Sequence, residues 1–151
     1  MGCPYDGEVS PEAVNDVTNK LLELGCYEVS LGDTIGAGTV EKTRALFDGI
    51  TAPIDKLAAH FHDTNDTAIE NILVALEYGV AVVDCSVSGL GGCPYAGKPA
   101  GNVCTENVVY ALHELGIETG LDLGALCDVG DFVSDKLGRD NLSLIERSQL
   151  H

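Results

Sequence analysis

The sequence predicts an α/β fold built on a parallel sheet. Short segments rich in β-branched and other apolar residues alternate with longer segments whose apolar residues recur at helical spacing. Parallel neighbouring strands need crossover connections, usually helices, so this alternation predicts βαβ units. Polar residues also cluster directly after the strands, at the edge where parallel sheets and β/α barrels place their sites.

The first predicted helix begins at Ser10, a hydroxyl N-cap that is followed by proline at the first helical position. Gly25 ends this helix, because a left-handed C-cap favours glycine. The next elements are predicted as a strand, a glycine-rich loop and a helix, at 26–31, 32–39 and about 40–50.

The same order of strand, polar loop and helix then repeats. The predicted strands are 57–61 and 80–87, the loops that follow them are 62–66 and 88–102, and a last helix covers about 123–137. Gly79 ends the helix after the first of these loops, and Thr105 is predicted to cap the helix after the second.

The charge of the chain excludes two classes of partner. The sequence has 24 acidic against 8 basic side chains, a net charge of -16, which repels nucleic acid phosphates and anionic lipids. No apolar run reaches the roughly 20 residues that a membrane span needs. The six cysteines form no Cys-x-x-Cys pair, which favours a reducing compartment, and no targeting segment is recognisable.

His60 and His62 are the first candidate site residues. Alternate residues of a strand project to the same side, about 6.5 to 7 Å apart along it, so two imidazoles at a strand end can converge on one ion. The alternative is a polar strand end whose histidines only cap loops. The ligand type leaves Mg²⁺, Mn²⁺ and Zn²⁺ open.

Cys93 lies in a loop with three nearby glycines that can approach a ligand closely. A cysteine with a tuned pKa can act as nucleophile or proton donor, although most cysteines are inert. Asn102 and Glu106 follow this loop, and Asp33 follows a glycine at a strand end. Each has a simpler interpretation. Asn102 can be a turn residue, Glu106 a carboxylate that stabilises the helix dipole, and Asp33 an acceptor for backbone amides of its turn.

Four motifs resemble the 3-hydroxy-3-methylglutaryl-CoA lyase family. They are Gly2-Cys3-Pro4-Tyr5-Asp6-Gly7, Gly32-Asp33-Thr34-Ile35-Gly36, His60-Phe61-His62-Asp63-Thr64 and, most specific, Ser86-Val87-Ser88-Gly89-Leu90-Gly91-Gly92-Cys93-Pro94-Tyr95-Ala96. The resemblance covers 1–143 and leaves 144–151 as an unmatched polar tail. The histidine motif is shared with related Claisen-type synthases and aldolases.

This resemblance implies the last three to four units of a (β/α)8 barrel. It implies a divalent-metal-dependent lyase, using Mg²⁺ or Mn²⁺, that cleaves 3-hydroxy-3-methylglutaryl-CoA to acetyl-CoA and acetoacetate in leucine degradation and ketone-body formation. The positions that match the family's metal ligands are His60, His62 and Asn102, and those that match its catalytic residues are Cys93, Asp33 and Glu106.

The resemblance also sets expectations for the chain as a whole. The family's first strand carries an Arg-Asp pair that has no counterpart here, so we expect a truncated chain with little activity alone. The exposed strand edges of a half barrel predict a homo-oligomer or pairing with the missing half barrel. The resemblance also implies an acyl-CoA substrate, and we expect the mitochondrial matrix or the cytoplasm. A related acyl-CoA condensing synthase or aldolase, and a non-catalytic metal-binding half barrel, remain open alternatives.

Overall fold

A computed structural model describes residues 1–92 and 101–145 of the protein. The described residues divide into two compact units, one of residues 1–84 and 92 and the other of residues 85–91 and 101–145. Within these ranges, none of the helices is both long and apolar enough to cross a membrane.

The first unit contains a hairpin, three helices and a three-stranded sheet. The hairpin strands are β1 (Gly2–Cys3) and β2 (Gly7–Glu8), the sheet strands are β3 (Val29–Asp33), β4 (Leu57–Phe61) and β5 (Val82–Asp84), and the helices are α1 (Pro11–Glu23), α2 (Val40–Gly49) and α3 (Ala68–Glu77). The sheet has the order β3, β4, β5, and both pairs of neighbours are parallel. Since a helix connects each strand to the next, the predicted βαβ units are confirmed.

The two faces of this sheet differ in burial. Every second residue of β3 is buried, whereas Ser30 and Gly32 between them are exposed. The helices α1 and α3 contact β3 and β4, so they cover one face. The other face, which we call the open face, carries Ser30, Gly32, His60 and Asp84, and strand pairing sets the last three side by side.

The strand boundaries differ from those that the sequence predicts. The strand predicted over 26–31 is observed at Val29–Asp33, and the one predicted over 80–87 is shortened to Val82–Asp84. Strand limits follow the pairing with β4, which apolar composition alone does not reveal. The hairpin of β1 and β2 has no counterpart among the predicted elements.

The second unit contains α4 (Thr105–Glu114) and α5 (Leu123–Leu137). The limits of α5 confirm the prediction, but the predicted cap of α4 is wrong by one position. Cys104 is its N-cap and Thr105 its first helical residue. A 3-10 turn over Val87–Gly89 packs against both helices. The barrel boundary at 143 stays a prediction, and 146–151 of the proposed tail lie outside the described residues.

Candidate metal centre

Two histidine rings converge at the carboxyl end of β4. His60 lies within the strand and His62 directly beyond it, and their Nε2 atoms are 3.4 Å apart. Nitrogen ligands about 2.0–2.1 Å from a common ion, at bond angles between about 90° and 109°, lie roughly 2.8–3.4 Å from each other. The separation of the two rings therefore fits a shared metal ion.

The His62 ring is held in a single orientation. Its Nδ1 lies 2.7 Å from the carbonyl oxygen of Thr34, in the loop after β3. A carbonyl accepts only, so Nδ1 carries the proton and a neutral His62 presents a lone pair at Nε2. His62 is buried, which further restricts the ring. Its Nε2 is thus pre-set as a ligand atom.

The His60 ring lies between two titratable neighbours. Partial burial lowers the pKa of His60, the adjacent His62 lowers it further, and the carboxylate of Asp84, 3.9 Å from His60 Nδ1, opposes the shift. The lowered pKa favours the neutral ring near pH 7, which is the form that binds metals. His60 is therefore also suited to ligation.

A third strong ligand is not evident within residues 1–92 and 101–145. No group of three or more histidine, cysteine or acidic side chains in these ranges could hold a metal ion. Asn102 belongs to the second unit, where its side-chain Nδ2 donates to the carbonyl of Leu90 at 2.8 Å. A ligand role for Asn102 would use its amide oxygen.

Asp33 is fully buried and belongs to the helix-covered face of β3. Its two carboxylate oxygens accept hydrogen bonds from the backbone amides of Ala37 at 3.1 Å and Gly38 at 2.8 Å. Strand alternation directs Asp33 away from His60. The described contacts give Asp33 a role in shaping the loop after β3, and its predicted catalytic role stays a prediction.

Glu106 is also fully buried, in the first turn of α4. Its carboxylate oxygens accept from the backbone amide of Ser88 at 2.9 and 3.0 Å. Ser88 has a left-handed φ of 56°, which is strained for a residue with a side chain. Glu106 thereby fixes the start of the glycine loop, while its predicted catalytic role is likewise untested by these contacts.

Cys93 lies in 93–100, outside the described residues. The described part of its loop ends at Gly92, and Gly91 adopts a left-handed φ of 83°. A Cβ on Gly91 would lie 2.9 Å from the Asn102 amide nitrogen. Glycine is therefore required where this loop approaches Asn102.

Three residues of the site are absent from the candidates predicted by sequence. Thr34 supplies the acceptor for His62, Asp84 faces His60, and Ser30 bonds to Asp84. Asp84 lies inside a segment that the sequence predicts as a strand. The pairing register of that strand with β4 was the missing signal, because it sets Asp84 beside His60.

Comparison with known proteins gives a family model and two close relatives. The family model, described as HMGL-like, matches residues 1–133. The cytoplasmic 3-hydroxy-3-methylglutaryl-CoA lyase of Danio rerio is 52% identical over 150 residues, which cover 98% of this chain and 45% of that protein. The mitochondrial hydroxymethylglutaryl-CoA lyase of Arabidopsis thaliana is 52% identical over 143 residues, which cover 93% of this chain and 31% of that protein.

Solved structures show the same likeness. The hydroxymethylglutaryl-CoA lyase from Pseudomonas aeruginosa matches with a TM-score of 0.91 and 51% identity, over 95% of this chain and 49% of that one. An HMG-CoA lyase from Acinetobacter baumannii, in complex with coenzyme A and 3-methylmalate, matches with a TM-score of 0.88 and 33% identity. The match covers 99% of this chain and 51% of that one. The fold is thus part of a (β/α)8 barrel, as predicted, and the chain spans about half the length of these structures.

Proposed function

The chain belongs to the HMGL-like family, and on that premise we propose that it is part of an enzyme that cleaves 3-hydroxy-3-methylglutaryl-CoA to acetyl-CoA and acetoacetate. The observation that carries the proposal is the pair of Nε2 atoms, 3.4 Å apart, on His60 and His62. At this distance one ring can donate its Nε2–H to the other, and when neither Nε2 carries a proton both lone pairs point into the same space. A shared cation gives both nitrogens a partner.

HMGL-like lyases depend on a divalent metal, and we propose Mg²⁺ or Mn²⁺ for this chain, with His60 and His62 as ligands. A bound cation of this kind acts as a Lewis acid on substrate oxygens. The chain's own contribution is to hold both rings in place, through β4 and the Thr34 carbonyl. A ligand role for Asn102 rests on the family motif alone.

The reaction needs a base and an acid. A base removes the proton of the tertiary hydroxyl, the carbon–carbon bond breaks, and its electron pair passes to the acetyl-CoA enolate, whose carbon then receives a proton. We assign the proton donor to the thiol of Cys93. Asp33 and Glu106 remain candidate active-site acids, and their bonds to Ala37, Gly38 and Ser88 support the loops on which such a site depends.

The metal site is tested by titrating the purified chain with Mn²⁺ and following the electron paramagnetic resonance signal of the free ion. We expect saturable binding in the unmutated chain and an affinity at least about tenfold lower in His62→Ala. Removing a ligand should weaken metal binding more than removing a residue that only supports a ligand, which typically costs about 10–100-fold. His113→Ala is the matched control. His113 lies in the last turn of α4, where its ring bonds to the Thr119 hydroxyl, and it is not among the proposed ligands. Equal affinities in the two variants would contradict the site.

The activity is tested by supplying the chain with the remaining barrel units of the Danio rerio relative and measuring acetoacetate release. Cys93→Ser should lower kcat by about 100-fold or more, the typical contribution of a general acid, and leave Mn²⁺ affinity unchanged. Cys26→Ser, which alters an exposed thiol, is the control. Full turnover in Cys93→Ser would favour a related condensing synthase or aldolase.

The same reconstitution separates an enzyme from a non-catalytic partner. Stable association without turnover would support a metal-binding half barrel, whereas turnover would support the lyase.

We propose an acyl-CoA thioester as substrate, and a homo-oligomer or a paired half barrel as the working assembly. The relatives include a cytoplasmic and a mitochondrial protein, and we propose one of these two compartments.

A further inference from the structure

The open face of the sheet carries a connected row of polar side chains beside the histidine pair. Ser30, His60 and Asp84 belong to three adjacent strands, and pairing sets His60 next to Asp84. The hydroxyl of Ser30 donates a hydrogen bond to Asp84 Oδ2, and this oxygen lies 3.9 Å from His60 Nδ1. Neither Ser30 nor Asp84 belongs to the four motifs that carry the family resemblance.

The two ring nitrogens of His60 face different neighbours. Nδ1 faces the carboxylate of Asp84, and Nε2 faces the Nε2 of His62. Because His62 donates through Nδ1 to Thr34, its Nε2 presents a lone pair. A neutral His60 carries one ring proton, so it can direct an N–H either at Asp84 from Nδ1 or at His62 from Nε2, but not at both.

Each placement of that proton has a definite consequence. On Nε2, the proton satisfies His62 but leaves the Nδ1 lone pair facing a carboxylate, which is repulsive. On Nδ1, it points at Asp84 and leaves two Nε2 lone pairs facing each other, 3.4 Å apart. The second arrangement is the one that a divalent cation requires, because both ligands must then be unprotonated at Nε2.

We propose that Asp84 is a positioning residue that holds the His60 proton on Nδ1 and keeps the Nε2 lone pair directed at the cation, with Ser30 fixing the carboxylate. The inference rests on the metal site proposed above and adds two residues to it. Metal-binding histidines commonly donate their second N–H to a carboxylate or a carbonyl. Asp84 faces His60 Nδ1 from 3.9 Å, beyond hydrogen-bond distance, so it acts on the proton through its charge. Thr34 instead bonds directly to His62 at 2.7 Å.

The tautomer is read directly from the metal-free chain by ¹⁵N NMR of histidine-labelled protein, with resonances assigned through His→Gln variants. We expect His60 to be protonated at Nδ1 in the unmutated chain and to shift toward Nε2–H in Asp84→Asn. Asp84→Glu, which keeps the charge, should restore the original tautomer. Asp16→Asn, on the exposed side of α1, removes an equal charge elsewhere and should change nothing.

Mn²⁺ affinity is the second measurement. Asp84→Asn should weaken binding by about tenfold, the lower end of the roughly 10–100-fold range for such partners, because the Asp84 side chain is 47% exposed. Ser30→Ala should weaken it less, and Asp84→Glu should retain most of the affinity. The proposal would be overturned if Asp84→Asn had the same His60 tautomer and the same Mn²⁺ affinity as the unmutated chain.

The two hypotheses fail in different ways. If the unmutated chain does not bind Mn²⁺, the metal site is refuted, and the metal-free tautomer still decides the role of Asp84. If the chain binds Mn²⁺ and Asp84→Asn matches it in both measurements, the metal site stands and the positioning role is refuted.

Discussion

Gly38 is a position where buried side chains lie so close to the backbone that only glycine fits. A Cβ at Gly38 would lie 2.8 Å from Asp33 Oδ2 and 3.1 Å from Asn71 Nδ2. Both partners are fully buried, and Asn71 Nδ2 also donates to the Gly38 carbonyl at 3.1 Å. The glycine is required here by space, and the backbone amides of its loop are taken by Asp33.

Gly38→Ala should therefore destabilise the fold by about 1–3 kcal/mol, the usual cost of inserting a methyl group into a packed site. The measurement is the free energy of unfolding in urea. Gly32→Ala is the matched control, because a Cβ at Gly32 has no neighbouring atom within 4 Å. Equal losses in the two variants would contradict the close-approach argument.

At the scale of elements, α5 has a local signal at each of its ends. The Asp122 side chain accepts from the Ala125 amide at 2.9 Å at its start. Gly138 adopts a left-handed φ of 62° at its end and donates to the Asp135 carbonyl. Both are short-range features, so the sequence places this helix correctly.

Asp122→Ala should destabilise the protein by about 1 kcal/mol, through loss of the N-cap acceptor. Thermal or urea unfolding gives the free energy. Asp135→Ala is the control on the same helix, because Asp135 has an exposed side chain and alanine favours helix. A loss confined to Asp135→Ala would contradict the capping role.

At the scale of the whole molecule, net charge dominates the electrostatics. The chain carries 24 acidic and 8 basic side chains, and the described ion pairs of Lys42 with Glu8 and of Arg44 with Glu77 are largely exposed. Exposed pairs contribute little, typically 0–1 kcal/mol. Repulsion among acidic groups should therefore outweigh them.

Added NaCl should raise the melting temperature, because salt screens repulsion between exposed charges. A gain of about 1 kcal/mol corresponds to roughly 2–4 °C for a chain of this size. A variant with three exposed acids neutralised, Asp16→Asn, Glu114→Gln and Glu118→Gln, should show a smaller rise. A melting temperature that falls with salt would show that the ion pairs dominate.

The sequence by itself determined the order of the helices and parallel strands, the family resemblance and the histidine pair at the end of β4. Helical periodicity, glycine stops and strand alternation are local properties of a chain, so they can be recognised without coordinates. The alternation rule alone predicts that His60 and His62 share a side. The predicted roles of Cys93 and Asn102 derive from motifs in the same way and await experiment.

Only the tertiary structure decided what each polar side chain contacts. Pairing register sets Asp84 beside His60, and the loop after β3 brings Thr34 to His62. The same packing turns Asp33 toward the amides of its own loop. The contacts of Asp84 and Thr34 with the histidines join residues distant in the chain, and their distances depend on strand register and helix packing, which local sequence patterns do not specify.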